Sequence, residues 1–116
     1  MVKHNEGVVK ENLRGGRGHV VLYHILSQEE LMGHGAMYAR VVIPPHCSIG
    51  WHQHVGNTEP YYIIKGQGTF IDNDRSETQV GPGDICTIQC GQWHSMENNT
   101  EEDMEMIALV IFEGKE

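Results

Sequence analysis

The sequence predicts an all-β chain, an antiparallel sandwich or barrel. Three observations carry that expectation. The apolar runs are short, Gly, Pro, Asn and Asp separate them at close intervals, and counting the runs gives about nine strands along one unbroken chain. Fourteen glycines in 116 residues fit a fold with many turns. No internal repeat and no linker divides the sequence, so residues 1–116 are expected to form one domain.

The elements follow in order. Residues 19–26 (HVVLYHIL) are the N-terminal strand, after the glycine-rich turn Gly15-Gly16-Arg17-Gly18. Ser27-Gln28-Glu29-Glu30 has the form of a capping box, which predicts one short helical turn running to Gly33. Residues 36–43 form the next strand, stopped by Pro44-Pro45, and residues 49–54 another, turned by Gly56-Asn57. Residues 60–65 return to Gly66-Gln67-Gly68; residues 69–72 make a short strand and 73–77 a polar turn. After the turn Gly81-Pro82-Gly83-Asp84 come strands at 85–89, 94–97 and 104–112.

Composition excludes several partner classes. Sixteen acidic residues against eight basic ones leave a net charge of −8. A nucleic-acid backbone or an anionic membrane surface needs the opposite sign, so neither is expected. No apolar stretch approaches the length of a membrane helix, and nothing at the start resembles a signal peptide. Three cysteines, an odd number, suit a reducing compartment better than a disulfide framework, so the expected location is cytoplasmic.

The chemistry sits in His52-x-His54, four residues, then Glu59. In a strand, side chains two apart share a face, so His52 and His54 project together. Residues 55–58 then turn the chain so that Glu59 can face the same space. Imidazole and carboxylate together suit a first-row divalent metal. His94, after the Gly91 turn, is the best candidate for a fourth ligand.

At these residues the sequence resembles the cupin family. The first cupin motif reads Gly, five residues, His-x-His, three or four residues, Glu, six residues, Gly. His52, His54, Glu59 and Gly66 match it, within residues 46–66. The second reads Gly, five residues, Pro-x-Gly, two residues, His, three residues, Asn. Gly83, Gly91, His94 and Asn98 match it, within residues 83–98. Two positions depart: His46 stands for the first Gly and Gln89 for the Pro. Both are turn positions, and His tolerates the left-handed region better than most residues.

The resemblance implies a double-stranded β-helix, a jelly-roll barrel of two facing sheets with the metal inside one open end. It implies one divalent transition metal, Mn, Fe, Ni or Zn, held by His52, His54, Glu59 and His94. Such a site suits an enzyme acting on a small oxygenated acid or sugar-like metabolite, of isomerase, decarboxylase, lyase or dioxygenase type. The alternative is a metal-dependent module that binds or senses a small molecule without turnover. A barrel that keeps the fold for interaction only is a third reading. A homodimer is expected, because a short open barrel leaves strand edges to cover.

Two further residues are candidates for catalytic or pocket roles. Period two puts Tyr61 and Ile63 inward with Glu59, so the Tyr61 hydroxyl either donates to a substrate oxygen or packs in the core. Arg40, in an apolar strand, either clamps a carboxylate or pairs with an acid on the outer face. By the same alternation Met96 and Asn98 point inward, while Trp51 and Trp93 face away from the metal, towards a sheet–sheet or dimer contact. Met104, Met106 and Phe112 are expected in the core, and Cys47, Cys86 and Cys90 as small buried hydrophobes. The Arg14–Gly18 segment reads as a plain turn rather than a phosphate cradle.

Overall fold

The computed structural model describes residues 1–114 and is nearly all β. Eleven strands are present among the described residues: β1 (Val8–Glu11), β2 (His19–Leu26), β3 (Gly35–Ile43), β4 (Ser48–Gln53), β5 (Asn57–Thr58), β6 (Tyr61–Lys65), β7 (Gly68–Ile71), β8 (Glu77–Val80), β9 (Ile85–Cys86), β10 (Trp93–Glu97) and β11 (Met104–Phe112). A single 3-10 turn spans Leu13–Gly15. The large sheet runs β1-β2-β3-β11-β6-β9, with β5 also pairing β11, and the small sheet runs β4-β10-β7-β8. This is the two-sheet barrel the motifs imply.

Period two builds the core between the sheets. On β3, Ala39, Val41 and Ile43 point inward; on β11, Met104, Met106, Ala108 and Val110 do so. Of these, Val41, Ile43, Met104, Met106 and Ala108 form one core cluster with Ile49, Phe70 and Met96 of the small sheet.

Several elements differ from expectation. The capping box does form: Ser27 N donates to Glu30 Oε1 (3.0 Å) and Glu30 N to Ser27 Oγ (3.1 Å). Leu31 N also donates to Ser27 O (3.0 Å), the bond of one helical turn, but no helix follows over residues 28–33, because Met32 (φ 53°) and Gly33 (φ 78°) enter the left-handed region. The strand expected at 85–89 ends at Cys86, and β1 and β8 lie in polar segments whose alternation gives no apolar face. Phe112 is exposed rather than core, since a register shift between Val110 and Ile111 breaks the alternation of β11 before it. Cys47 and Cys86 are buried, but Cys90 is exposed on the turn after β9. His46 does take a left-handed backbone, φ 61°.

Candidate metal centre

Adjacent strands and one turn bring the donors together. In the β4–β10 pair, His52 lies directly opposite His94, so both rings leave the same face of the small sheet. His54 follows two residues later. Its N–H donates to Gln92 O (3.0 Å) and its carbonyl accepts from Gly91 N (2.6 Å), which keeps the chain end of β4 against the turn before β10. Glu59 enters from the large sheet, two residues before the inward Tyr61 of β6.

All four side chains are buried, and one donor atom from each lies within 4.8 Å of the others. The Nε2 atoms are 3.1 Å apart for His52–His54, 3.0 Å for His54–His94 and 3.2 Å for His94–His52. Glu59 Oε1 lies 3.1 Å from His54 Nε2 and 3.3 Å from His94 Nε2.

This spacing and its surroundings fit a metal ion. His52 Nδ1 donates to the Gly50 carbonyl (2.7 Å), and His54 Nδ1 donates to Asn57 Oδ1 (2.6 Å). Carbonyl oxygens only accept, so each Nδ1 carries the proton and each Nε2 is left with a bare lone pair. Bare nitrogens at these distances repel one another unless a cation lies between them. Donors this close together could all reach one ion at about 2.1 Å. The His94 Nδ1 is buried without a partner. That ring is held instead by stacking on Tyr61 (4.9 Å between centroids, 11° between planes) and by the edge of Phe70.

The electrostatics favour cation binding. Burial pushes the Glu59 carboxyl up, but the adjoining His54 and His94 rings, which favour a negative charge there once they carry a proton on Nε2, outweigh it and hold the metal-free carboxyl at about 2. Burial pulls His52 down to about 4, so its ring is neutral at neutral pH. At His54 burial also acts downward, but the hydrogen bond and charge of Glu59, with Asn57, more than offset it, and the net shift is upward. The Tyr61 hydroxyl is pushed well above its ordinary value by burial and then by the Glu59 charge, so it stays protonated.

A cavity of about 230 Å³ opens beside the cluster. Its walls include Leu22, Val41, Ile49 and Val110, and His52, His54, Glu59 and Tyr61 reach it. Tyr61, 1% exposed, thus both packs in the core and borders the cavity. Arg40 does not border it. Its Nη1 pairs with Glu105 Oε1 at 2.7 Å, and its guanidinium lies over the Tyr23 ring, in a separate groove lined by Tyr23, His24 and Ile107. Trp51 and Trp93 face away from the donors, but they stack on each other at 6.0 Å, with Arg75 over Trp51, rather than bridging the sheets.

Sequence reasoning passed over two residues here. Asn57, read only as a turn residue, orients His54; the signal was an amide three residues after a ligand histidine. Arg14, read as part of a plain turn, borders the cavity.

Two facing sheets with three histidines and a carboxylate converging in one open end define a cupin barrel with a site that could hold one metal. The chain belongs to the Cupin_2 family, whose cupin-domain model matches residues 39–112. It is 40% identical over 100 residues to the oxalate-binding protein of Thermotoga maritima, covering 86% of this chain and 82% of that one. A crystal structure of a predicted oxalate decarboxylase from Thermotoga maritima matches with a TM-score of 0.92 and 36% identity, over 97% of this chain and 99% of that chain. A shorter match, 38% identity over 48 residues, links the chain to acireductone dioxygenase of Rhodopseudomonas palustris; it spans 39% of this chain and 28% of the relative.

Proposed function

We propose that this chain is a metal-dependent binding module for a small dicarboxylate of the oxalate class. The observation that carries the reading is four converging donors at the edge of a small, largely apolar cavity. His52, His54, Glu59 and His94 would hold a divalent ion, which when bound supplies Lewis-acid charge to carboxylate oxygens. The chain's own contribution is a deprotonated Glu59, histidines oriented by Gly50 and Asn57, and apolar walls that exclude water and so strengthen charge interactions. The 40% identical oxalate-binding relative supports the ligand class.

Binding without turnover is favoured over a decarboxylase by the cavity lining. Replacing a departing carboxylate by hydrogen needs a proton delivered to carbon. Beyond the donors themselves, the only ordinary proton donor among the described lining residues is Tyr61, which burial holds protonated and makes a weak acid. Calorimetric titration of the Mn(II)-loaded chain with oxalate tests the reading. One oxalate per chain, no heat after the metal is stripped, and oxalate recovered unchanged are expected. Formate or carbon dioxide in the recovered solution would overturn the no-turnover reading, and absence of heat with metal present would overturn the ligand class.

We also propose a two-fold homodimer, supported by apolar side chains exposed on the β6–β9 edge of the large sheet. The free cysteines Cys47, Cys86 and Cys90 support a cytoplasmic setting. Among the described residues no helix is long and apolar enough to cross a membrane.

A further inference from the structure

Arg14 stands apart from the other three arginines of the chain. Arg17 donates to Asn99 Oδ1 (2.9 Å) and lies 3.5 Å from Glu97; Arg40 pairs with Glu105; Arg75 covers Trp51. Arg14 has no ion-pair or side-chain hydrogen-bond partner among the described residues. It is also the only cationic side chain besides the histidines among the described residues that line the cavity.

Its position is built rather than incidental. The 3-10 turn is pressed onto β4 just before His52. A Cβ on Gly50 would lie 2.1 Å from the Arg14 carbonyl oxygen, and a Cβ on Gly16 would lie 2.1 Å from the Ser48 carbonyl oxygen. Two glycines therefore allow a backbone contact that no other residue would permit. The Arg14 backbone is left-handed (φ 56°, ψ 29°), a conformation costing about 1 kcal/mol or more for such a residue. Arg14 lines the same cavity as His54 of the small-sheet end and Tyr61 of the large sheet.

We propose that Arg14 anchors the distal carboxylate of the bound ligand, and so makes the pocket prefer a dicarboxylate to a monocarboxylate. The inference rests on the reading of the pocket as a dicarboxylate site. A guanidinium presents paired N–H donors that match two carboxylate oxygens, and Arg14, exposed where it borders the cavity, offers them to a ligand entering there. A compact dianion can offer one edge to the four-donor cluster and the other to Arg14. A monocarboxylate such as glycolate has no second carboxylate for it.

The test is calorimetric titration of the full Mn(II)-loaded chain with oxalate and with glycolate, in wild type, Arg14→Asn and Arg14→Lys, with manganese content measured for each. Asn tolerates the left-handed backbone. Arg14→Asn is expected to keep its manganese, to bind oxalate roughly tenfold or more weakly, and to bind glycolate within about twofold of wild type. Arg14→Lys, which keeps the charge without the fork, is expected between the two, and it carries the comparison alone if Arg14→Asn does not fold. Wild-type oxalate affinity in Arg14→Asn, or equal losses for both anions, would overturn the assignment while leaving the pocket reading intact. Loss of manganese would make Arg14 a structural residue and overturn it too. A wild type that binds neither anion overturns the pocket reading itself and this inference with it.

Discussion

At the scale of single residues, the donors trade folding stability for a preformed site. His52 is buried with a pKa of about 4, below the ordinary 6.5, so the fold favours its neutral ring. That contribution is complete above pH 6.5 and is lost as pH falls towards 4, because the unfolded chain takes up the proton first. Glu59, held at about 2 instead of 4.5, contributes stability above pH 4.5 that is lost on the way to 2. His54, raised above 6.5, acts the other way and adds stability as it becomes protonated. In metal-stripped protein the His54 contribution is therefore already complete at pH 6.5, so the His52 loss between pH 6.5 and 4 and the Glu59 loss below pH 4.5 are both unopposed. The unfolding free energy from urea titration is expected to fall from pH 6.5 towards 4 as His52 takes up its proton, and to fall again below 4.5 as Glu59 does, by on the order of 2–3 kcal/mol in each step. Glu59→Gln should remove that lower limb. A Glu59→Gln variant that loses as much stability below pH 4 as wild type would contradict this assignment.

At the scale of elements, the site depends on how closely the 13–15 turn sits on β4. Gly50→Ala puts a Cβ where the Arg14 carbonyl oxygen stands, and backbone, unlike a flexible side chain, cannot step aside cheaply. The variant should lose about 1–3 kcal/mol by urea unfolding and bind oxalate more weakly, while the remote β7–β8 pairing is kept. A wild-type midpoint with wild-type oxalate affinity would show that the contact is not needed. Much of the rest was legible beforehand for a simple reason: period two in β4, β6 and β10 places His52, Glu59, Tyr61, His94 and Met96 inward without knowledge of the tertiary fold. The register shift before Phe112 makes the reading fail there, whereas the one in the β4–β10 pair falls before His52 and leaves the His52–His54 alternation intact. Arg14 and Asn57 were illegible because their roles come from a loop meeting a strand and from a side chain reaching back around a turn. Arg40 was ambiguous because an inward clamp and an outward ion pair follow the same alternation, and only the position of Glu105 separates them.

At the scale of the whole molecule, an open barrel leaves strand edges that a soluble chain must cover or charge. One such edge is β9, the last strand of the large sheet. There Ile85 is 67% exposed and lies opposite Tyr62, which is 48% exposed, with Ile64 nearby on β6 at 39%. These are apolar side chains on an unpaired edge, in a chain whose charge of −8 would otherwise keep copies apart. A two-fold axis would set this patch against itself, and self-complementary apolar surface is what an isologous interface uses. Light scattering is expected to give twice the chain mass of 13.1 kDa for wild type. Ile85→Lys should return one chain mass, with the urea midpoint and manganese content of the barrel kept, because Ile85 points away from the donors. A single chain mass for wild type, or an Ile85→Lys variant that remains paired, would remove this edge as the interface.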